Sequence, residues 1–151
     1  MVGEGQESAD ISWREQVLDR VQALDPYAFE RLCARLLRVA GCRSVEVTSR
    51  SDDKGIDGIG VLEVSLLSFP VFFQAKKHRN DIGPAIVREL RGAMAGRGDK
   101  GILTTCGSFS KGAKEEARRP ASQAPMTFFT ASINETARGS PAMLLSIRFI
   151  T

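Results

Sequence analysis

Three polar residues near the middle of the chain have types and spacing suited to phosphodiester hydrolysis. Asp57 lies in the run Asp53-Lys54-Gly55-Ile56-Asp57-Gly58, and Gln74 and Lys76 follow it, two residues apart. Residues two apart in a strand leave the same face. If the strand opened by Asp57 pairs with the one carrying Gln74 and Lys76, all three side chains meet at one end of a sheet. A hard divalent cation, Mg2+ or Mn2+, prefers oxygen donors, here the Asp57 carboxylate and the Gln74 amide oxygen. Such an ion polarises a phosphate and lowers the pKa of a bound water. Lys76 can orient that water or stabilise charge on the phosphoryl oxygens. One carboxylate is thin charge for a magnesium site, so a second acid is expected. Glu30 is the leading candidate, at the edge of a helix's apolar stripe, with Asp53 and Glu63 behind it. Each residue also has a plain structural use, since Asp beside Lys-Gly is common turn chemistry and Gln, Lys and Glu often face solvent. Their joint order carries the functional reading.

Other chemistries find little support. Cys33, Cys42 and Cys106 are odd in number, have no CxxC spacing, and His78 is the lone histidine. A tetrahedral zinc site needs a Cys/His cluster at set spacings. Buried structural thiols in a reducing cytoplasm are the expected use of these cysteines. Ser108 has no nearby histidine to activate it, and neither GxxxxGK[ST] nor GxGxxG after a strand occurs.

The elements that must position these residues follow from periodicity. Ser12 and Glu15 form a capping box, which predicts a first helix from Ser12 to Leu24. Asp25-Pro26 reads as an N-cap with proline at the first helical position. Phe29, Leu32, Cys33, Leu36, Leu37 and Ala40 then follow at helical spacing until Gly41. Val45 and Val47 alternate as in a short strand, Ser49 to Gly55 is turn-like, and Ile56 to Val64 suits a second strand. A turn containing Ser68 and Pro70 is expected to lead into a third strand, Val71 to Lys77. Asp81 to Pro84 starts a helix with Ile86, Val87, Leu90, Ala93 and Met94 on one face. Gly101 to Thr105 reads as a strand and Ser108 to Arg119 as a helix. Beyond Pro120 the pattern weakens; Met126 to Thr130 suits a strand, and Ala142 to Ile150 has no assignable type. Helices and strands in this order make an α/β domain around a central mixed β-sheet flanked by helices.

Length and charge bound the rest. At 151 residues the chain suits one domain, with 42% hydrophobic and 26% charged residues. No apolar run approaches a membrane span, and Met1 to Asp10 lacks a signal peptide's apolar core, so residues 1–11 are expected to be a loose tail. Net charge is +3 but uneven: residues 1–75 carry 8 basic and 12 acidic groups, a net −4, and residues 76–119 carry 11 and 5, a net +6. That asymmetry suits a polyanion. Lys77, Arg79, Arg88, Arg91, Lys111 and Lys114 are the expected phosphate contacts, with Arg118 and Arg119 nearby. A solvated helix face is the plain alternative.

The residues Phe29-Glu30, Asp53 to Gly58, Gln74-Ala75-Lys76, Gly101 to Thr105 and Ser108-Phe109-Ser110 resemble the catalytic domain of Mrr-type restriction endonucleases. The resemblance covers residues 12–119 and implies the restriction-endonuclease-like fold of the PD-(D/E)xK superfamily, in a branch with Gln where most relatives carry an acid. It implies Asp57 as metal-binding acid, Gln74 as substituted ligand, Lys76 as catalytic lysine and Glu30 as auxiliary helix acid. It also implies Mg2+ or Mn2+, double-stranded DNA as substrate, and restriction of modified foreign DNA. Such proteins commonly carry a winged-helix recognition domain, for which this sequence has no room, so a homodimer or a fused or partner recognition domain is expected. Residues 120–151 match the family's closing strand and helix poorly. The competing expectations are a junction or repair nuclease of the same fold, and a catalytically inactive nucleic-acid-binding module.

Overall fold

The computed structural model describes residues 15–48, 55–98, 100–120, 127–132 and 146–150, the last two stretches as backbone. A first helix, α1, covers residues 15–22; Ser12, its expected cap, lies outside the described residues, and the chain turns at residues 23–24 rather than staying helical to Leu24. Helix α2 (Pro26–Val39) begins as its sequence dictates. The extended backbone of Asp25 lets its carboxylate accept the Ala28 N–H at 2.9 Å, and Pro26 costs nothing where an N–H would be unpaired anyway. The helix closes on Gly41 at φ 107, where the Gly41 and Cys42 N–H groups donate to Arg38 O and Leu37 O at 3.1 and 2.9 Å.

One mixed sheet follows, in the strand order β1 (Arg43–Val47), β2 (Gly58–Val64), β3 (Leu67–Lys76), β4 (Lys100–Thr105), β5 (Thr127–Ser132), β6 (Ser146–Ile150). The first three pair antiparallel, β3, β4 and β5 run parallel, and β6 returns antiparallel. Helices α3 (Pro84–Met94) and α4 (Lys111–Arg118) form the connections between parallel strands. The α/β mixed sheet flanked by helices is therefore the observed architecture. Two cores lie on its opposite faces. Phe29, Cys33, Ala34 and Leu37 of α2 pack with Val45, Val71, Phe73 and Ile102. Val87, Leu90 and Met94 of α3 pack with Ile56, Phe72, Leu103, Phe109 and Ala113. The alternation of Phe72 and Phe73 between the two faces is the period-2 rule of a strand covered on both sides.

Several boundaries differ from the sequence reading: β2 opens at Gly58 rather than Ile56, and β3 ends at Lys76 rather than Lys77. The hairpin turns at Ser65 and Leu66, so Ser68 and Pro70 lie within β3 instead of in the turn. The Phe73 carbonyl accepts from Asp57 on the β2 side, so the nitrogen of Pro70, three residues away and hence on the opposite edge, points away from β2. On that side β4 pairs only from Val71 onward, and the missing donor interrupts no ladder. Helix α4 starts at Lys111, capped by Ser110, whose side chain accepts from Ala113 N at 3.1 Å. Phe109 instead bridges to Ile82, with Ile82 N donating to Ser108 O and Ser110 N to Ile82 O. That pairing holds Ser108 to Ser110 extended. The weakly patterned end of the chain contributes the backbone of β5 and β6.

Gly58 opens β2 against a fully buried side chain of the sheet. A Cβ there would stand 2.2 Å from the Phe73 ring and 2.4 Å from Glu46 O. Phe73 is 0% exposed and cannot swing away. Gly58→Ala should lower stability by about 1–3 kcal/mol or more, as overpacking does. A urea titration giving the wild-type midpoint would contradict this.

Candidate active site

Asp57 is fixed through its backbone before its side chain is considered. Its N–H donates to Phe73 O at 2.8 Å and its carbonyl accepts from Thr48 N at 2.9 Å, while Thr48 Oγ1 donates to Ile56 O at 3.0 Å. The residue is thus stitched to β3 on one side and to the end of β1 on the other. Its carboxylate then reaches β3, where Oδ2 accepts the Ala75 N–H at 2.6 Å. Ala75 is the residue between Gln74 and Lys76, so the hairpin arrangement expected from the sequence is the one observed. Burial raises the Asp57 carboxyl above its ordinary 3.8, against the smaller opposing effects of the Ala75 N–H and the Lys76 ammonium.

Gln74 and Lys76 leave β3 on one face, the face whose Phe72 packs under α3. Gln74 is 1% exposed, and its Oε1 has no hydrogen-bond partner within the described protein. An unsatisfied buried acceptor costs about 1–3 kcal/mol, a cost that a partner at this oxygen would remove. Its Nε2 lies 2.9 Å from the point where a Cβ on Gly55 would sit. Gly55, at φ 97, therefore leaves room that a side chain would fill. Lys76, half-buried, pairs along the ladder with Thr105.

The acids proposed to assist are placed differently. Glu30 is half-buried on α2, and both its charge and that of Asp57 bear on the Cys33 thiol, which burial foremost pushes up. Asp53 lies outside the described residues. Glu63 sits at the far end of β2, opposite Ser68, and pairs with Arg43 at 3.2 Å; β2 carries it away from Asp57. The acid that sequence reasoning missed is Glu89 of α3, whose Oε1 is 3.0 Å from the same Gly55 Cβ position as the Gln74 amide. Its signal was present, since Glu89 falls in the helical row Ile86, Glu89, Ala93 at the rim of the apolar face. Among the described residues no three His, Cys, Asp or Glu side chains cluster as a metal site, and the three cysteines are free and buried.

Several of the basic residues brace the fold. Lys77 donates to Gln22 O at 3.0 Å and to Leu24 O, tying the chain after α1 to the end of β3. Arg79 pairs with Asp19 at 2.8 Å. Arg91 reaches Glu116 Oε1 at 2.7 Å and the carbonyls of Glu116 and Arg119 at 2.6 and 3.2 Å, clamping α3 to α4. Arg88 lies 3.5 Å from the same carboxylate, and exposed Lys111 is 3.8 Å from Glu115. Lys114 is half-buried on α4, Arg118 is exposed, and Arg119 lies 3.8 Å from Glu116.

Comparison with known proteins gives three findings. A family model described as restriction endonuclease, of the Mrr catalytic-domain type, matches residues 21–131. Among solved structures, the DNA modification-dependent restriction endonuclease AspBHI aligns with a TM-score of 0.59 at 22% identity, over 76% of this chain and 32% of its own. The restriction endonuclease MspJI, in complex with a 27-mer oligonucleotide, aligns with a TM-score of 0.48 at 24% identity, over 86% of this chain and 30% of its own. The chain thus spans about a third of the length of either. The likeness to AspBHI shows the fold. No curated protein matches the sequence.

Two expectations follow. The folded protein holds the Asp57 proton more tightly than the unfolded chain, so stability falls as pH rises from 3.8 through the raised value. Asp57→Asn, which keeps an acceptor for the Ala75 N–H, should be at least as stable as wild type at pH 7 and remove that decline. Thermal melts across pH 4–8 that show wild-type gaining stability through the same window would reverse the sign of the argument. Arg91→Ala should cost about 1.5–3 kcal/mol, because a buried carboxylate loses its charged hydrogen-bond donor. Arg88→Ala, at an exposed side chain, should cost no more than about 1 kcal/mol; chemical denaturation of both variants distinguishes the brace from the surface pair.

Proposed function

Because this chain belongs to the Mrr-type restriction endonuclease catalytic-domain family, we propose that it is a metal-dependent endodeoxyribonuclease domain, acting in the cytoplasm to restrict modified foreign DNA. The observation that supports this most is the Asp57 carboxylate bonded at Ala75 N, between Gln74 and Lys76, with the buried Gln74 Oε1 lacking any partner.

The donors available suit a hard divalent cation such as Mg2+ or Mn2+. An ionised carboxylate and an amide oxygen are both hard oxygen ligands, the kind such a cation prefers. Asp57 and Gln74 would hold the ion, with Glu30 as auxiliary acid from α2. When bound, the ion supplies Lewis acidity to the phosphate and a lower pKa to a coordinated water. Asp57, anchored by two backbone bonds and one side-chain bond, keeps its carboxylate in place without reorganisation. Lys76 contributes positive charge for the phosphoryl oxygens from the same strand face as Gln74. Arg79, Arg88, Lys111 and Lys114, with Lys77 and Arg91 behind them as braces, are proposed to line the duplex backbone. Residues 12–119 are read as the nuclease body, with residues 120–151 adding strands to its sheet. Since AspBHI is about three times as long as the matched segment, target recognition is assigned to a second copy or to a fused or partner domain.

Asp57→Ala and Lys76→Ala should each reduce cleavage about a hundred- to a thousandfold, the usual effect of losing one electrostatic stabiliser, with the fold kept. The measurement is Mg2+-dependent nicking of methylated and unmethylated plasmid, with a four-way junction alongside. Cleavage of the junction alone would favour a repair nuclease. DNA binding without any cleavage by wild type would favour an inactive binding module. Normal activity in either folded variant would remove the assignment of these residues.

A further inference from the structure

Gln74 stands where negative charge would serve a cation best, yet its side chain is neutral. A carboxamide can also present either end, because its oxygen and nitrogen differ little in shape. Something beside Gln74 must decide which end faces outward and make good the missing charge. The geometry at Gly55 answers both needs. The point where a Cβ on Gly55 would sit is 2.9 Å from Gln74 Nε2 and 3.0 Å from Glu89 Oε1. One small space, kept open by glycine, is thus faced by an amide nitrogen that can only donate and a carboxylate that can only accept. On the other end of the same carboxamide, Oε1 is buried without a partner. Val87, Leu90 and Met94, at 1%, 0% and 0% exposure, anchor α3 and so fix the position from which Glu89 acts.

We propose that Glu89 is a positioning residue of this site: its carboxylate attracts the Gln74 amide nitrogen, leaves Oε1 as the end offered to the cation, and supplies the negative charge that Gln74 lacks. This rests on the metal-dependent nuclease reading above. Oxygen comes from the strand and charge from the helix, and together the pair does the work of one strand-borne acid. Glu89 is otherwise exposed, so its charge carries little desolvation cost. Placing an acid on the strand as well would set two carboxylates in one space, where like charges hold one of them protonated to higher pH.

The test is Mn2+ affinity of the full chain, by titration calorimetry, for wild type, Glu89→Gln, Gln74→Glu and the exchange variant Gln74→Glu/Glu89→Gln. Glu89→Gln should weaken Mn2+ binding about 10–100-fold, the usual effect of losing a partner that orients a ligand, with an unchanged thermal melt. The exchange variant, which moves the charge onto the strand, should recover most of that loss. Gln74→Glu alone should bind with a midpoint moved to higher pH. Wild-type affinity in Glu89→Gln, or a loss that the exchange does not repair, overturns the proposal and leaves the nuclease reading standing, because wild type still binds and cleaves. A wild-type chain that neither binds Mn2+ nor cleaves DNA removes the nuclease reading and this inference with it.

Discussion

The hydrogen bond from the Ala75 amide to Asp57 Oδ2, 2.6 Å long, joins the mouth of β2 to the carboxyl end of β3. The surrounding structure serves this contact. Gly58 pairs with Phe73 in the ladder, and the N–H of Asp57, just before β2, donates to Phe73 O. Only a residue without a side chain fits at position 58 against the Phe73 ring, and Phe73 in turn is held by the core under α2. Packing several residues away thereby sets where one carboxylate points.

The site carries costs that the rest of the molecule offsets. A carboxyl driven up by burial and a buried amide oxygen with no partner both oppose folding. Natural proteins depart from local consistency at functional positions and recover stability elsewhere. Here the recovery comes from two apolar layers on either face of the sheet, with Phe29, Phe73, Leu90, Met94 and Leu103 at 1% exposure or less. The burial of Asp57 also keeps water from screening its charge when it is ionised.

The excess of positive charge after residue 75 divides into two uses. Lys77 and Arg91 hold backbone carbonyls, one at the chain leaving α1 and one at the end of α4. Arg88 and Arg119 stay at the surface around the buried carboxylate of Glu116, and Lys111 around Glu115. Lys77, one residue past the end of β3, thus braces the fold, whereas its neighbour Lys76 closes the strand. Net charge alone cannot separate these roles, since a guanidinium counts the same whether it meets a carbonyl or a phosphate.

The sequence by itself determined the α/β class, the helices α2 and α3, and the grouping of Asp57, Gln74 and Lys76. Each depends on short-range physics: Asp25-Pro26 caps and starts a helix, Gly41 ends it, apolar residues recur at 3.6 or 2, and Gln-x-Lys share a strand face. Tertiary structure decided what depends on neighbours distant in the chain. Pro70 sits inside a strand because β4 begins one residue later, and Ser108 to Phe109 stay extended because Ile82 pairs with them. Glu63 is carried away from the site by the direction of β2, and Glu89 is brought to Gln74 by the docking of α3. A helix-rim glutamate looks like any solvated one until a packed helix fixes it beside a particular strand residue. That difference lies in position, which pairwise spacing along a sequence does not encode.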